Sequence, residues 1–359
     1  MKNLNGMTEI MLDLAFRVRE AELWKVLSDM DLFGVRLPDG QTTWCCVMGQ
    51  AGEHLGVAAY VGDRGVQSFY TTLAMNYSPS QQDYFEGVVS LDCINCDFEN
   101  GSDLVLADKE EAAAFARARG LKLKRSRPYP EFIRHMDGFV PWNVTDPADE
   151  QAICVALEAC LEVAAVYRQG GEEALRQKGF VLADGYPKGR AGDPMPVLIP
   201  EEDGFRWTMQ PFPARPDQAF PHPSFDNVLA LSSLKKLPRR GTWHARYVHV
   251  DAPVQEKLDD RPYFPAILAV MDNESGMLLP TVSPRAGTEP VALFLQDLVR
   301  GIEAMGAAPS LILVADQRTE ALLADFCTKA GIKLSRSGDL DELDEAMEFL
   351  QQMLGAFPG

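Results

Sequence analysis

The chain has 359 residues, of which 46% are hydrophobic and 24% are charged, and its formal net charge is −18 at pH 7. This length is sufficient for two domains with separate cores, and the composition is that of an ordinary globular protein. Because a nucleic-acid binder usually needs a basic face that displaces counterions, the acidic charge argues against DNA or RNA as the main partner.

The cysteines and the N-terminal segment bear on where the protein resides. Seven cysteines, an odd number scattered over a long chain, predict reduced thiols in a cytoplasm. Charged residues at Glu9, Asp13, Arg17 and Arg19 interrupt the N-terminal segment, which is not typical of a signal peptide. Since no apolar run approaches about 20 residues, we expect a soluble protein without a membrane partner.

Residues 1–175 are predicted to form an α+β domain with a small antiparallel sheet. Thr8 is a suitable cap for a first helix, and Pro38-Asp39-Gly40 is typical of a hairpin turn. A long helix begins at Pro147 and ends before Gly170-Gly171. The other predicted elements are strands over 55–61 and 88–96 and helices over 68–75 and 108–119.

Residues 176–223 are rich in proline and glycine and predict a connector with short edge strands at most. A second domain is expected over residues 224–359. Its latter half alternates between strands and helices, which predicts an α/β fold with a mixed sheet. The order of these elements loosely resembles a ribonuclease-H-like fold. In that fold the first acidic strand opens a three-strand meander, whereas Asp272 lies on the second strand that the sequence predicts.

Two aspartates directly follow apolar strands in the second domain. Asp272 ends the run Ala266–Met271, and Asp316 ends the run Leu311–Ala315. If the two strands are parallel neighbours, their carboxyl ends lie at one edge and the carboxylates bind Mg²⁺ or Mn²⁺, with Glu274, Asp339 or Asp341 as a third ligand. The alternative is that Asp272 begins a turn and that Asp316 caps the following helix.

Two other patterns are weaker candidates for polar sites. Glu53-His54, in a glycine-rich segment, predicts an acid–base pair, a pair that binds a ligand, or a histidine that satisfies a tight turn. Cys93 and Cys96 have the spacing of a zinc or redox motif, and Cys45-Cys46 lie upstream. Because neighbours and residues three apart in a strand point to opposite faces, buried apolar thiols are the preferred interpretation.

The segment 127–142 combines aromatic and proline residues and predicts an ordered loop over the core. An alternative is a binding groove, since aromatic residues are enriched at interfaces. The residues of that groove would be Tyr129, Phe132, Phe139 and Trp142, together with Trp44.

Several strings resemble a group of uncharacterised bacterial proteins that carry two domains of unknown function in tandem. They include GEHLGVAAYVG at 52–62, RPYPEF at 127–132, GFVPW at 138–142 and RPYFPAILAVMDNESG at 261–276. The resemblance covers most of the chain and implies a bacterial cytoplasmic protein with the same two-domain organisation. It implies no activity, cofactor or catalytic residue.

Because no nucleophile motif, phosphate-binding loop or complete metal-ligand set can be identified, the sequence favours a non-catalytic intracellular binding or regulatory module. One alternative is a divalent-metal-dependent hydrolase or nuclease that uses Asp272 and Asp316. Another is a homo-oligomeric scaffold, which would make self-association or a protein partner the relevant interaction.

Overall fold

The computed structural model describes residues 7–52, 54–75, 81–182, 190–216, 220, 222–258, 260–279, 281–282, 292–338 and 340–355. Within them the helices are α1 (Glu9–Ala21), α2 (Gly62–Met75), α3 (Gln81–Val89), α4 (Leu106–Ala118), α5 (Pro147–Gln177), α6 (Val228–Lys236), α7 (Ala292–Met305), α8 (Gln317–Ala330) and α9 (Asp341–Gly355). The strands are β1 (Phe33–Arg36), β2 (Thr42–Met48), β3 (Gly56–Val61), β4 (Cys93–Glu99), β5 (Tyr129–His135), β6 (Trp142–Asn143), β7 (Pro194–Glu201), β8 (Gly204–Pro211), β9 (Thr242–His249), β10 (Ala266–Asp272), β11 (Met277–Leu278), β12 (Thr281–Val282), β13 (Leu311–Val314) and β14 (Lys333–Arg336).

The chain folds as two compact units that do not follow a single cut in the sequence. The first unit takes its described residues from Met1–Tyr77, Ser90–Met136 and Pro141–Asp217. The second takes its described residues from Ser78–Val89, Asp137–Val140 and Gln218–Gly359. Helix α3 therefore belongs to the second unit, although the residues on both sides of it in the sequence belong to the first.

The first unit is built on an eight-stranded sheet with the order β6-β5-β4-β3-β2-β1-β7-β8. All neighbouring strands are antiparallel except β1 and β7. Because side chains alternate along a strand, Cys45 and Val47 of β2 pack on the face that α1 and α5 cover, and Trp44 and Cys46 pack on the other. The predicted antiparallel character of this sheet is confirmed.

The sheet is larger than predicted because the proline-rich segment contributes the hairpin β7–β8. Residues two apart in a strand direct their N–H groups to the same side, so Pro194, Pro196 and Pro200 remove donors from one side of β7 only. All eight residues of β7 pair with β8, whereas the pairing of β7 with β1 includes only Val197 and Leu198. Prolines at alternate positions are thus compatible with a paired strand.

The second unit contains the mixed sheet that the sequence predicts. Its strand order is β11-β10-β9-β13-β14, and β12 pairs with β10. Strands β9, β10 and β11 are antiparallel, and β9, β13 and β14 are parallel. Apolar residues of α7 and α8 cover one face, including Leu295 and Phe326, while Leu343 and Met347 of α9 cover the other.

Several local features follow the predicted capping chemistry, and others differ. The Thr8 hydroxyl accepts a hydrogen bond from the Met11 N–H, as expected of a helix cap. Helix α5 begins at Pro147, but it continues past the non-helical Gly170 and Gly171 to Gln177. The aromatic segment predicted as a loop instead contains strand β5, in which Pro130 and Phe132 are buried and their neighbours are half-buried. In the described part of the chain, no helix is both long and apolar enough to cross a membrane.

Candidate functional site

Asp272 and Asp316 lie at opposite ends of the sheet of the second unit. Trp243 of β9 pairs with Asp272 on one side and with Ile312 of β13 on the other, four residues before Asp316. Four residues of strand and two interstrand spacings correspond to roughly 16 Å between the two aspartate Cα atoms. Because β10 runs antiparallel to β9 while β13 runs parallel to it, the carboxyl ends of β10 and β13 cannot share a single cation.

Each of the two carboxylates has a local structural role. Asp272 Oδ1 accepts a hydrogen bond from the Glu274 N–H (3.2 Å), and Oδ2 accepts one from the Ser275 hydroxyl (2.6 Å). Asp316 caps α8 by accepting hydrogen bonds from the Thr319 N–H and hydroxyl, both at 2.7 Å. The turn and cap predicted as alternatives to a metal site are therefore present.

The proposed third ligands do not complete a metal site in the described part of the chain. Glu274 belongs to the same exposed turn as Asp272, and α9 begins at Asp341. Asp339 lies outside the described residues. Among the described residues there is no group of three or more His, Cys, Asp or Glu side chains arranged to bind a metal ion.

A polar cluster surrounds the carboxyl end of β9, beyond the last residue that pairs with β13. That pairing ends at Ala245, so the next N–H groups on the same edge need other acceptors. The Tyr247 N–H donates to the Thr319 hydroxyl (2.9 Å), and the His249 N–H donates to the Glu86 carboxylate. Side chains of α8 and α3 thus continue the hydrogen bonding of a strand edge that β13 leaves open.

Basic side chains neutralise most carboxylates of this cluster. Arg246 forms ion pairs with Asp83 of α3 and, at 2.5 Å, with Asp344 of α9, and only 9% of its side chain is exposed. His249 Nδ1 lies 2.9 Å from Glu86 Oε2. The cluster connects α3 and α9 to β9 and leaves no pair of carboxylates without a partner.

The protonation of Glu86 depends on both its burial and its neighbours. Burial disfavours its charged form, but the adjacent His249 outweighs that effect through its charge and through ring and backbone hydrogen bonds. The net result is a pKa below the usual value for glutamate. Glu86 is therefore a carboxylate held in its ionised form next to a buried histidine.

The aromatic residues predicted to line one groove are distributed between different surfaces. Trp44 is 2% exposed and packs edge-on against Phe212, with ring centroids 4.9 Å apart. Phe132 is equally buried, but it packs on the opposite face of the sheet. Tyr129 and Trp142 belong to β5 and β6 of the first unit, while Phe139 pairs with Tyr263 in the second. Trp44 and Phe132 thus cannot contact the same ligand.

The remaining predicted sites are also separated. His54 is exposed before β3, and Glu53 lies outside the described residues. Cys93 and Cys45 lie on different faces of the sheet from Cys96 and Cys46, respectively, as strand alternation predicts. All seven thiols are free, and burial raises the pKa of Cys93 to about 12. Six of the seven are buried, and Cys154 is half-buried.

A carboxyl with a strongly raised pKa lies on β4 in the first unit. Burial raises the pKa of Asp97 to about 7, a hydrogen bond from Asn95 opposes the shift, and the charges of Glu99 and Glu131 add to it. Glu131 lies directly opposite Asp97 on β5. Like charges in directly opposed positions are unfavourable, so the protonated form of Asp97 relieves this pair.

The described part of the first unit contains a groove of about 1180 Å³. Its lining comes from α1, from the turn after α4, from α5 and from the tip of the β7–β8 hairpin. Its lining combines apolar residues such as Leu161, Ala165 and Phe205, here called the floor, with charged residues such as Arg17 and Glu158, here called the border. An apolar floor with a charged border is typical of a surface that binds another molecule.

Sequence patterns could have indicated part of the polar cluster but not the groove. Asp83 and Glu86 are three residues apart, which places both on one face of a helix, and Arg246 and His249 interrupt an apolar strand. The groove combines segments far apart in the chain, and no local pattern marks it.

Comparison with known proteins gives matches to domains without an assigned function. No curated protein matches the chain. Among solved structures, the HTLV-2 integrase catalytic core domain in complex with magnesium is similar in its dimeric form, with 17% identity over 34% of this chain and 73% of that chain and a TM-score of 0.25. The trimeric form gives 19% identity, the same share of this chain, 78% of that chain and a TM-score of 0.24.

A simian T-cell lymphotropic virus intasome in complex with the PP2A regulatory subunit B56 gamma gives 15% identity over 34% of this chain and 45% of that chain, with a TM-score of 0.23. Family models match two successive segments, residues 9–182 and residues 230–351. The chain therefore carries two domains of unknown function in tandem, DUF7309 followed by DUF6930.

Proposed function

We propose that the protein is a non-catalytic binding or regulatory module whose ligand occupies the groove of the first unit. The observation that carries this proposal is the size and composition of the groove, about 1180 Å³ with an apolar floor and a charged border. Pockets for small molecules usually measure about 300–1,000 Å³ and enclose their ligand. A larger groove with charged sides suits a segment of a protein partner better.

The alternative of a divalent-metal-dependent hydrolase or nuclease requires Asp272 and Asp316 to share Mg²⁺ or Mn²⁺. The strand register separates them by roughly 16 Å, well beyond the reach of carboxylates that bind one cation at 2.0–2.6 Å. At the carboxyl end of β9, where an α/β sheet commonly places its reactive groups, Arg246 neutralises the nearby carboxylates. This geometry favours the binding module.

We further infer that the second unit has a loosely ribonuclease-H-like order. An antiparallel set of β9, β10 and β11, followed by the parallel strands β13 and β14, supports this inference. The strand that opens this arrangement is β9, which contributes Arg246 and His249 to the polar cluster rather than an acidic residue. The strand order of the second unit is therefore compatible with a binding module that does not use a metal ion.

A cytoplasmic location fits this function, because the seven free thiols suit a reducing compartment. The resemblance of the sequence to bacterial tandem-domain proteins suggests a bacterial source. The net charge of −18 disfavours nucleic acid as the ligand. A protein segment is the proposed partner, and self-association through the same groove remains the alternative.

Photo-crosslinking tests the groove directly. Leu161, on the floor, is replaced by p-benzoylphenylalanine in cells that produce the full chain, and Glu173, exposed on the same helix outside the groove, is replaced as a control. We expect a discrete adduct from position 161 alone, identified by mass spectrometry. Equal adducts from both positions, or none from position 161, would contradict the proposal.

The metal alternative has its own test. Asp272→Asn and Asp316→Asn are titrated with Mn²⁺ by calorimetry beside the unmodified chain. The binding-module proposal expects the same heat for all three proteins. A site lost in both variants while the fold is retained would favour the hydrolase.

A further inference from the structure

We propose that the groove of the first unit binds an amphipathic helix of a protein partner, with an acidic flank on one side of its apolar stripe and a basic flank on the other. This inference rests on the proposed function and specifies the partner's chemistry. The apolar stripe faces Leu161, Ala165 and Phe205 on the floor. The acidic flank faces α1 and the turn after α4, and the basic flank faces α5 and the β7–β8 hairpin.

The lining residues that belong to helices form one stripe on α1 and one stripe on α5. In α5 the lining positions include Glu158, Leu161, Ala165 and Arg168, which recur at intervals of three and four residues. Residues at that spacing lie on one face of a helix. A helical ligand matches such stripes, because its own apolar positions recur at the same intervals along a comparable length.

The backbone chemistry of the groove also favours a helix over an extended peptide. Two helices and a turn contribute most of its lining, and the edge strand β8 contributes only its first two residues, Gly204 and Phe205. Along the helices and the turn, an extended segment would lose water from its N–H and C=O groups without gaining backbone partners. A helix satisfies these groups internally and brings only its side chains to the floor.

The charges of the two sides differ in sign. On the side of α1 and the turn after α4, Arg17, Arg119 and Lys122 outnumber Asp13 and Glu20. Both arginines contact Asp13, at 3.4 Å and 3.8 Å, so this acidic residue is already neutralised. Arg119 also pairs with Glu9 at 3.5 Å, so Lys122 is the basic lining residue of this side that has no ion pair among the described residues and is available to an acidic flank of the ligand.

The opposite side has an acidic excess. Among the described residues, this side is lined by three acidic residues, Glu158, Glu162 and Glu201, and by one basic residue, Arg168. Glu162 accepts a hydrogen bond from the Trp207 indole, and Glu201 pairs with Arg206, which lies outside the lining. Glu158 has no ion-pair partner among the described residues, so it is available to a basic flank.

Three synthetic helices of about 18 residues test the proposal with the full chain. All three carry the same leucine stripe, and their flanks are either acidic on one side and basic on the other, acidic on both sides, or basic on both. Binding is measured by fluorescence anisotropy at about 0.15 M salt, where distant charges are screened. We expect the mixed-flank helix to bind at least about tenfold more tightly than either uniform helix.

Because the protein is acidic overall, non-specific attraction alone would favour the basic helix. The double variant Glu158→Lys/Glu201→Lys makes both sides basic, and we expect it to prefer the doubly acidic helix by about tenfold. Glu172→Lys/Glu173→Lys is the control, since it changes the net charge by the same amount and both positions lie in α5 outside the lining. The control should keep the preference of the unmodified chain.

Preference for the basic helix, absence of binding, or an unchanged order in the groove variant would overturn the helix proposal. If any of these results is accompanied by a groove adduct in cells, the proposal of a binding module is retained and only the proposal of a helical ligand is rejected. Absence of the adduct would instead contradict the module itself.

Discussion

Replacing Arg246 by methionine should weaken the second unit substantially. The guanidinium is 9% exposed and pairs with Asp83 of α3 and Asp344 of α9, whose side chains are 29% and 32% exposed. Removing one partner of a fully buried ion pair typically costs about 3–5 kcal/mol. Because both carboxylates remain partly hydrated after the substitution, we expect a smaller loss of about 2–4 kcal/mol in the free energy of unfolding.

Hydrogen exchange measured by mass spectrometry reports this loss in the unit concerned. Peptides from β9 and α9 should exchange faster in Arg246→Met, while peptides from β2 and β3 of the first unit give an internal reference. Arg336→Met is the control, since Arg336 pairs with Glu320 in the same unit but is 52% exposed. Such a pair contributes about 0–1 kcal/mol. A loss in Arg246→Met no larger than in the control would refute the structural role of the cluster.

Three further outcomes are expected. The pKa of Glu86 is lowered in the folded state, so its stabilising contribution is present above the usual glutamate pKa and is lost as pH falls through the lowered value. In urea unfolding, the stability of Glu86→Gln should therefore differ from that of the unmodified chain at pH 7 and approach it below about pH 4. The pKa of Asp97 is raised to about 7, so the unmodified chain should lose stability as pH rises from about 4 to above 7. Asp97→Asn should show no such loss and should be more stable than the unmodified chain at pH 8 by about 1–3 kcal/mol. Equal pH profiles of the two proteins would contradict this. Asp316→Ala removes a helix cap and should lower the free energy of unfolding by about 1 kcal/mol, and a change below about 0.3 kcal/mol would argue against the cap.

Features that depend on neighbouring residues could be predicted from the sequence. Thr8 and Asp316 precede helical patterns, and both cap a helix in the structure. The apolar run that ends at Asp272 forms a strand that hydrogen-bonds to the short strand after its turn. In each case the physical cause lies within a few residues, because a cap or a turn satisfies backbone groups locally.

Two elements of the fold required information beyond local pattern. Strand β7 contains three prolines and was predicted as part of a connector, yet the alternate spacing of these prolines leaves one side of the strand able to pair with β8. The sequence pattern does not predict helix α3, although Asp83 and Glu86 have helical spacing. Its position depends on Arg246 and His249, which are more than 160 residues away in sequence.

The expectation that Asp272 and Asp316 converge depends on strand directions as well as on strand ends. The sequence indicates which residues end a strand, but not whether neighbouring strands run parallel. Because β10 is antiparallel to β9, the carboxyl end of β10 lies at the edge opposite the carboxyl end of β13. The antiparallel direction of β10 therefore places Asp272 in a turn at one end of the sheet and Asp316 at a helix cap at the other end.

Charge has different consequences at the two polar surfaces. Around β9, the carboxylates of Asp83, Glu86 and Asp344 already have partners within the unit, so removing a charge there leaves the opposite charge uncompensated and reduces stability. In the groove, Glu158 is exposed and has no ion-pair partner among the described residues, so its reversal should cost little stability. If Glu158→Lys alters helix binding while stability is unchanged, and Arg246→Met alters stability while helix binding is unchanged, then the groove is the functional surface and the β9 cluster is structural. The reverse result would make the carboxyl end of β9 the place where the protein acts.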